Sequence, residues 1–194
     1  KGARITYDET PKGFGVRITK AGARAFVLNY RTRSGRERRY TIGAFPDWKT
    51  SAAREEAKRL KQEIDRGGDP QGEVKADRDA PTVKDLCDRF REEYLFEVEP
   101  GSKQRERLRR STRKDYASII DNDILPTLRS LKVTEVTHSD VDGLHRKISK
   151  RAPYRANRVL ALLSRLFNLS VTWGYRADNP AKGVERNDEQ KRKE

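Results

Sequence analysis

Five arginines, Arg31, Arg33, Arg36, Arg38 and Arg39, crowd into the stretch NYRTRSGRERRYTIG from Asn29 to Gly43. Guanidinium groups present planar forks to phosphates and to guanine edges, so this density is chemistry for holding a polyanion. A second run, GSKQRERLRRSTRK over residues 101–114, carries seven Lys or Arg and includes Arg110, Thr112, Arg113 and Lys114 at a helix start. There the free N–H groups already favour phosphate. A third set, Tyr154, Arg155, Asn157, Arg158, Arg165 and Thr172, falls near one stripe of a long helical pattern, opposite Leu160, Leu163 and Phe167.

Other reactive residue types offer little beside these. His138 and His145 lack the partners and spacing of a metal site and are expected at the surface or as caps. Cys87 lies beside Leu86 and Phe90 and reads as a buried, inert thiol. Gly13-Phe14-Gly15 sits inside a strand pattern, which is not the setting of a phosphate-binding loop. The carboxylate pairs Glu55-Glu56 and Glu92-Glu93 fall on exposed helix faces without an acid or base partner. No catalytic residue, metal or cofactor is expected.

The 194 residues carry a formal net charge of +14, 38% charged side chains and one cysteine. That balance points to a polyanionic partner and a reducing, cytoplasmic setting, and it excludes a transmembrane span. Methionine is absent and the chain opens at Lys1, which reads as a trimmed piece of a longer protein.

The elements that must position these groups follow from periodicity. Period-two alternation over residues 13–43 predicts three antiparallel strands joined by glycine-bearing turns. Phe14, Val16, Ile18, Phe26, Leu28, Tyr30, Tyr40 and Ile42 share one face; Arg17, Thr19, Val27, Asn29, Arg31, Arg39 and Thr41 share the other. A helix capped by Thr50 or Ser51, with Ala53, Ala57, Leu60 and Ile64 as its apolar stripe, should cover the first face and end at Gly67-Gly68. Arg17, Thr19, Asn29, Arg31, Arg39 and Thr41 are then left for base edges and phosphates, with Arg33, Arg36 and Arg38 nearer phosphate at the hairpin tip.

The polar stretch QGEVKADRDAP over 71–81 predicts a linker. Four helices are expected after it, the first capped by Thr82, the second by Ser111 or Thr112, and the fourth ending at Gly174. The expected class is therefore α+β: a small three-stranded antiparallel sheet with one packed helix, then an all-α four-helix domain. The expected divisions are 1–70, a linker at 71–81, 82–180, and a tail at 181–194.

The run from GFGVRIT through FVLNYRTRSGRERRYTIGAFPDWKTSAAREEA to GGDP resembles the arm-type DNA-binding domain of phage and genomic-island integrases, members of the tyrosine recombinase family. DWKTSAAR departs mildly from the pattern after the proline turn. STRKDYASIIDNDILPTL, the LxVTEVTHSDV stretch and RANRVLALLSRLFNLSVTWGYRADNPA are similar to the family's core-binding, SAM-like helical domain.

The resemblance implies a protein that integrates and excises a mobile element, holding arm-type and core-type sites on double-stranded DNA. It also implies a tetramer on DNA, with accessory DNA-bending proteins or an excisionase as further partners. The family's tyrosine nucleophile and H-x-x-R motif are not matched here, because SDV follows His138 and RKI follows His145. The catalytic domain is thus expected after about residue 180 of the parent, and the chain by itself is expected to be a monomeric, non-catalytic DNA binder. Two other readings share the basic faces: a complete DNA-binding regulator or architectural protein, and a single-strand or RNA binder. The latter calls for exposed stacking aromatics.

Overall fold

The structure, a computed structural model, describes residues 3–95 and 108–189. It divides into two compact units, residues 1–79 and 80–194.

The first unit is a four-stranded antiparallel sheet in the order β1-β2-β3-β4: β1 Arg4–Tyr7, β2 Phe14–Ile18, β3 Arg24–Arg31 and β4 Glu37–Ala44. Three strands match the expected alternation, and β1 is additional. Its RITY sequence is too short and too polar to signal a strand unaided. Its partner, however, carries a trace of it. Tyr7 pairs with Gly15, and a Cβ at Gly15 would lie 2.5 Å from the Thr6 carbonyl oxygen. A glycine inside a strand marks such a close backbone approach.

Helix α1, Thr50–Asp65, buries Ala53, Ala57, Leu60 and Ile64 against Phe14, Phe26, Leu28 and Tyr30, as the apolar stripe predicts. Burying each large apolar side chain here contributes roughly 1.5–3 kcal/mol. The helix starts one or two residues earlier than expected. Lys49 holds the cap position without a side-chain bond, so neither Thr50 nor Ser51 caps it. Gly67, at φ +104°, turns the chain out of the helix.

Residues 71–78, expected as part of a linker, instead belong to helix α2, Pro70–Arg78. Pro70 occupies its first turn and Asp69 caps it by accepting from the Gly72 N–H at 3.1 Å. Asp-Pro stops one helix and starts the next. Its one large aliphatic, Val74, is exposed, which is why no apolar period announced it. The Tyr30 hydroxyl fastens α2 to the sheet by donating to Asp69 while accepting the Gln71 N–H. Burial and the neighbouring carboxylate push the Tyr30 phenol up to about 12.

The second unit is all-helical. It comprises α3 Val83–Tyr94, α4 Arg110–Ile119, a wide π turn Ile120–Ile124, α5 Leu125–Leu128, α6 His138–Ser149 and α7 Pro153–Thr172. The second of the four expected helices is therefore divided into α4, the π turn and α5. Pro126 explains the division: it lacks an N–H, and its ring would press on the preceding turn of a regular helix. Thr82 caps α3 as expected, and Thr137 caps α6. Each forms a capping box, with Asp85 and Asp140 respectively. Helix α4 begins at Arg110 with no side-chain cap, so Ser111 and Thr112 lie inside it. Leu86, Phe90, Ile119, Ile124, Leu144, Leu163 and Phe167 belong to one core cluster. Among the described residues no helix is long and apolar enough to cross a membrane.

Candidate nucleic-acid interface

The face of the sheet away from α1 carries Tyr7 on β1, Arg17 on β2, Asn29 and Arg31 on β3, and Glu37, Arg39 and Thr41 on β4. Cross-strand register aligns them: Asn29 opposes Arg39, Arg31 opposes Glu37, and Val27 opposes Thr41. Tyr7, Arg17, Arg31, Arg39 and Thr41 are exposed and Asn29 is half-buried. Val27, expected among the outward residues, is instead fully buried at the centre of this face. In register it sits between Gly15 and Thr41, where strands on both sides screen it.

Hydrogen bonds tie the face together. Arg39 Nε donates to Asn29 Oδ1 at 2.9 Å, and the Asn29 amide nitrogen donates to the Tyr7 hydroxyl. Asn29 is held from the backbone as well, since its N–H donates to the Gly13 carbonyl at 2.8 Å. Gly13 has φ +91°, and a Cβ there would fall 2.1 Å from the Asn29 carbonyl oxygen, so only glycine fits. Arg31 lies along Glu37, donating from Nε at 3.2 Å and Nη2 at 2.7 Å to one carboxylate oxygen. Thr19 falls just beyond β2, where its hydroxyl accepts the Ala23 N–H.

At the hairpin tip Arg33 and Arg36 are exposed. Arg38 departs from the expected role. Opposite Tyr30 in register, it points to the α1 side and lies 3.6 Å from Asp69. A cleft is lined in part by Arg38 together with Lys12, Arg31, Arg39 and Lys61. Sequence reading did not single out Tyr7, Lys12 or Lys61; the period-two pair Ile5 and Tyr7 was the available signal for the first.

In the helical unit the expected contact residues separate into two groups. Arg110 and Lys114 on α4 are exposed, as are Tyr154 and Arg158 on α7, while Thr112 is half-buried. Lys103, Arg105 and Arg107 of the expected basic run lie outside the described residues.

The others are engaged within the fold. Arg155 donates to Asp123 (2.9 Å), Asp115 (2.9 Å) and Ser118 (3.2 Å), and the Asp123 side chain is only 4% exposed. Arg165 stacks over the Phe90 and Tyr94 rings. Arg113 is buried. Asn157 is buried too, donating to the Asn187 carbonyl and the Glu189 carboxylate, both at 2.8 Å, and accepting the Asn187 N–H at 2.9 Å.

His145, expected at the surface or as a cap, is buried beside Asn157, with Nε2 at 3.1 Å from Oδ1. His138 is exposed at the start of α6. Cys87 is buried, which pushes its thiol up to about 12. Among the described residues no group of three His, Cys, Asp or Glu could hold a metal ion.

Residues 1–77 match the family described as arm DNA-binding domain, and residues 99–187 match the family described as phage integrase central domain. The chain belongs to the phage integrases. Its fold is similar to that of lambda integrase in two crystal structures. One is a dimer bound to a COC' core site, at 17% identity and TM-score 0.51, covering 96% of this chain and 48% of that one. The other is a tetramer bound to a Holliday junction, at 17% identity and TM-score 0.52, covering 95% and 50%. A domain assigned to a phage integrase protein of Nitrosospira multiformis matches at 29% identity and TM-score 0.44, covering 61% of this chain and 94% of that one. This integrase chain thus spans about half the length of the lambda integrase chains it matches. No curated protein sequence matches it significantly. Both matched domains are parts of integrases, and the first is a DNA-binding domain, in agreement with the basic faces.

Proposed function

We propose that the chain binds double-stranded DNA at two kinds of site on behalf of a site-specific recombinase that integrates and excises a mobile element. The sheet of residues 1–79 enters the major groove of arm-type sites, and the helical unit grips the core-type site. The single observation that carries this reading is the exposed sheet face, where Arg17, Arg39, Tyr7 and Thr41 stand together on a rigid support. A small sheet is one of the few elements that fit the major groove. Arg110, Lys114, Tyr154 and Arg158 are the corresponding exposed set on the helices. Assembly into a tetramer on DNA, with chemistry by a tyrosine-bearing domain, belongs to the same proposal for the whole recombinase.

The test is duplex binding by fluorescence anisotropy across a salt series. The chain binds duplex DNA with steep salt dependence and forms no covalent adduct. Arg17→Ala and Arg39→Ala each weaken it about tenfold, with unchanged thermal unfolding, and each phosphate contact removed lowers the salt slope by about one. Arginine variants with wild-type affinity would exclude this face.

A further inference from the structure

We propose that Asn29 is a positioning residue that holds two readers, Arg39 and Tyr7, rather than a base reader itself. This rests on the duplex-binding reading above and names the side chains that give it specificity.

To pair with adenine, an asparagine presents its oxygen and its nitrogen together along one edge. Here the Asn29 carboxamide is engaged at both ends within the sheet, its oxygen toward β4 by Arg39 Nε and its nitrogen toward β1 by the Tyr7 hydroxyl. Tyr7 reaches it across β2 because Gly13 and Gly15 place no side chain between them. The Asn29 backbone is fixed too, through its bond to the Gly13 carbonyl. The group is thus restrained at three points.

What remains free is on its neighbours. With Nε engaged, Arg39 keeps both terminal nitrogens, the end-on fork that fits guanine O6 and N7. The Tyr7 oxygen accepts from Asn29, so its own hydrogen is left to donate outward, and the residue is 54% exposed. Arg31 is different: Nε and Nη2 both lie on Glu37, which neutralises it and occupies the side-on fork. The geometry therefore assigns a guanine preference to Arg39, a single-donor contact to Tyr7, and the aim of both to Asn29.

The experiment uses a duplex enriched from a random pool by the wild-type chain itself, together with its single-base-pair variants, read by anisotropy. Arg39→Ala and Asn29→Ala each lose about tenfold or more of the discrimination at one and the same G·C pair, and the double variant loses no more than either. Asn29→Asp keeps the acceptor for Arg39 and retains that preference, though its overall affinity falls with the added negative charge. Thermal unfolding of the variants stays within several degrees of the wild-type midpoint, since the Asn29 backbone bond to Gly13 is retained.

Losses that multiply, or an Asn29→Ala effect confined to an A·T pair, would overturn the positioning role while leaving duplex recognition intact. A pool from which the wild-type chain enriches no sequence would instead overturn the sequence-specific reading beneath it.

Discussion

Arg155 and Arg158 sit three residues apart on α7 and look interchangeable as letters. Arg155 turns inward to three acceptors around the buried Asp123, whereas Arg158 faces solvent. Removing Arg155 leaves the buried Asp123 carboxylate with Arg151, which is exposed and 3.3 Å away, so its charge is only partly compensated. Arg155→Ala therefore costs about 2 kcal/mol in urea unfolding, with the figure lowered because Arg155 is itself 27% exposed. Arg158→Ala leaves stability unchanged and weakens duplex binding; the opposite pattern would show the two roles exchanged. Residue types pointed to a basic helix, but could not separate a ligand-facing arginine from one neutralised by carboxylates remote in sequence. Asn157 and His145 eluded sequence reading for the same reason, since each is defined by a partner more than ten residues away.

The elements that sequence revealed most fully were those with an apolar period, namely β2, β3, β4, α1 and α7. Those it concealed, β1 and α2, bury little and depend on single polar or backbone contacts. Helix α2 depends on Asp69, whose carboxyl the Tyr30 hydroxyl, above all, holds below its usual range. A depressed carboxylate stabilises the fold above its unfolded value of about 3.9, and that contribution is lost as pH falls through the depressed native value. Tyr30→Phe removes the principal cause. It should cost residues 1–79 about 1–2 kcal/mol at pH 7 and progressively less below pH 4, as measured by urea unfolding at both pH values. A deficit independent of pH would mean that Asp69 is not the group through which Tyr30 acts. Asp85 and Asp140, each bonded by a capping threonine, give α3 and α6 the same direction of acid sensitivity.

For the molecule as a whole, composition was the most informative quantity: a net charge of +14 on 194 residues identifies a polyanion as partner before any fold is known. It does not apportion that charge, and several arginines proved to be internal fasteners. Two compact units on one chain imply mutual enhancement, because binding by one raises the effective concentration of the other at its own site. A duplex carrying both an arm-type and a core-type site should bind the whole chain about a hundredfold more tightly than a duplex carrying either alone. Equal affinities for all three duplexes would show that the units do not engage together.

The clasp of Asn157 on Asn187 has a practical corollary. It anchors the stretch ending at Glu189 against α6 and α7, so a reporter on that stretch shares the rotational diffusion of the helices. Cys87 is the sole cysteine, and its buried thiol is protonated at neutral pH. A cysteine introduced at the exposed Asp188 would accordingly take a maleimide dye selectively, without removal of the native thiol. The fold thus supplies its own labelling site for following how the helical unit turns when DNA arrives.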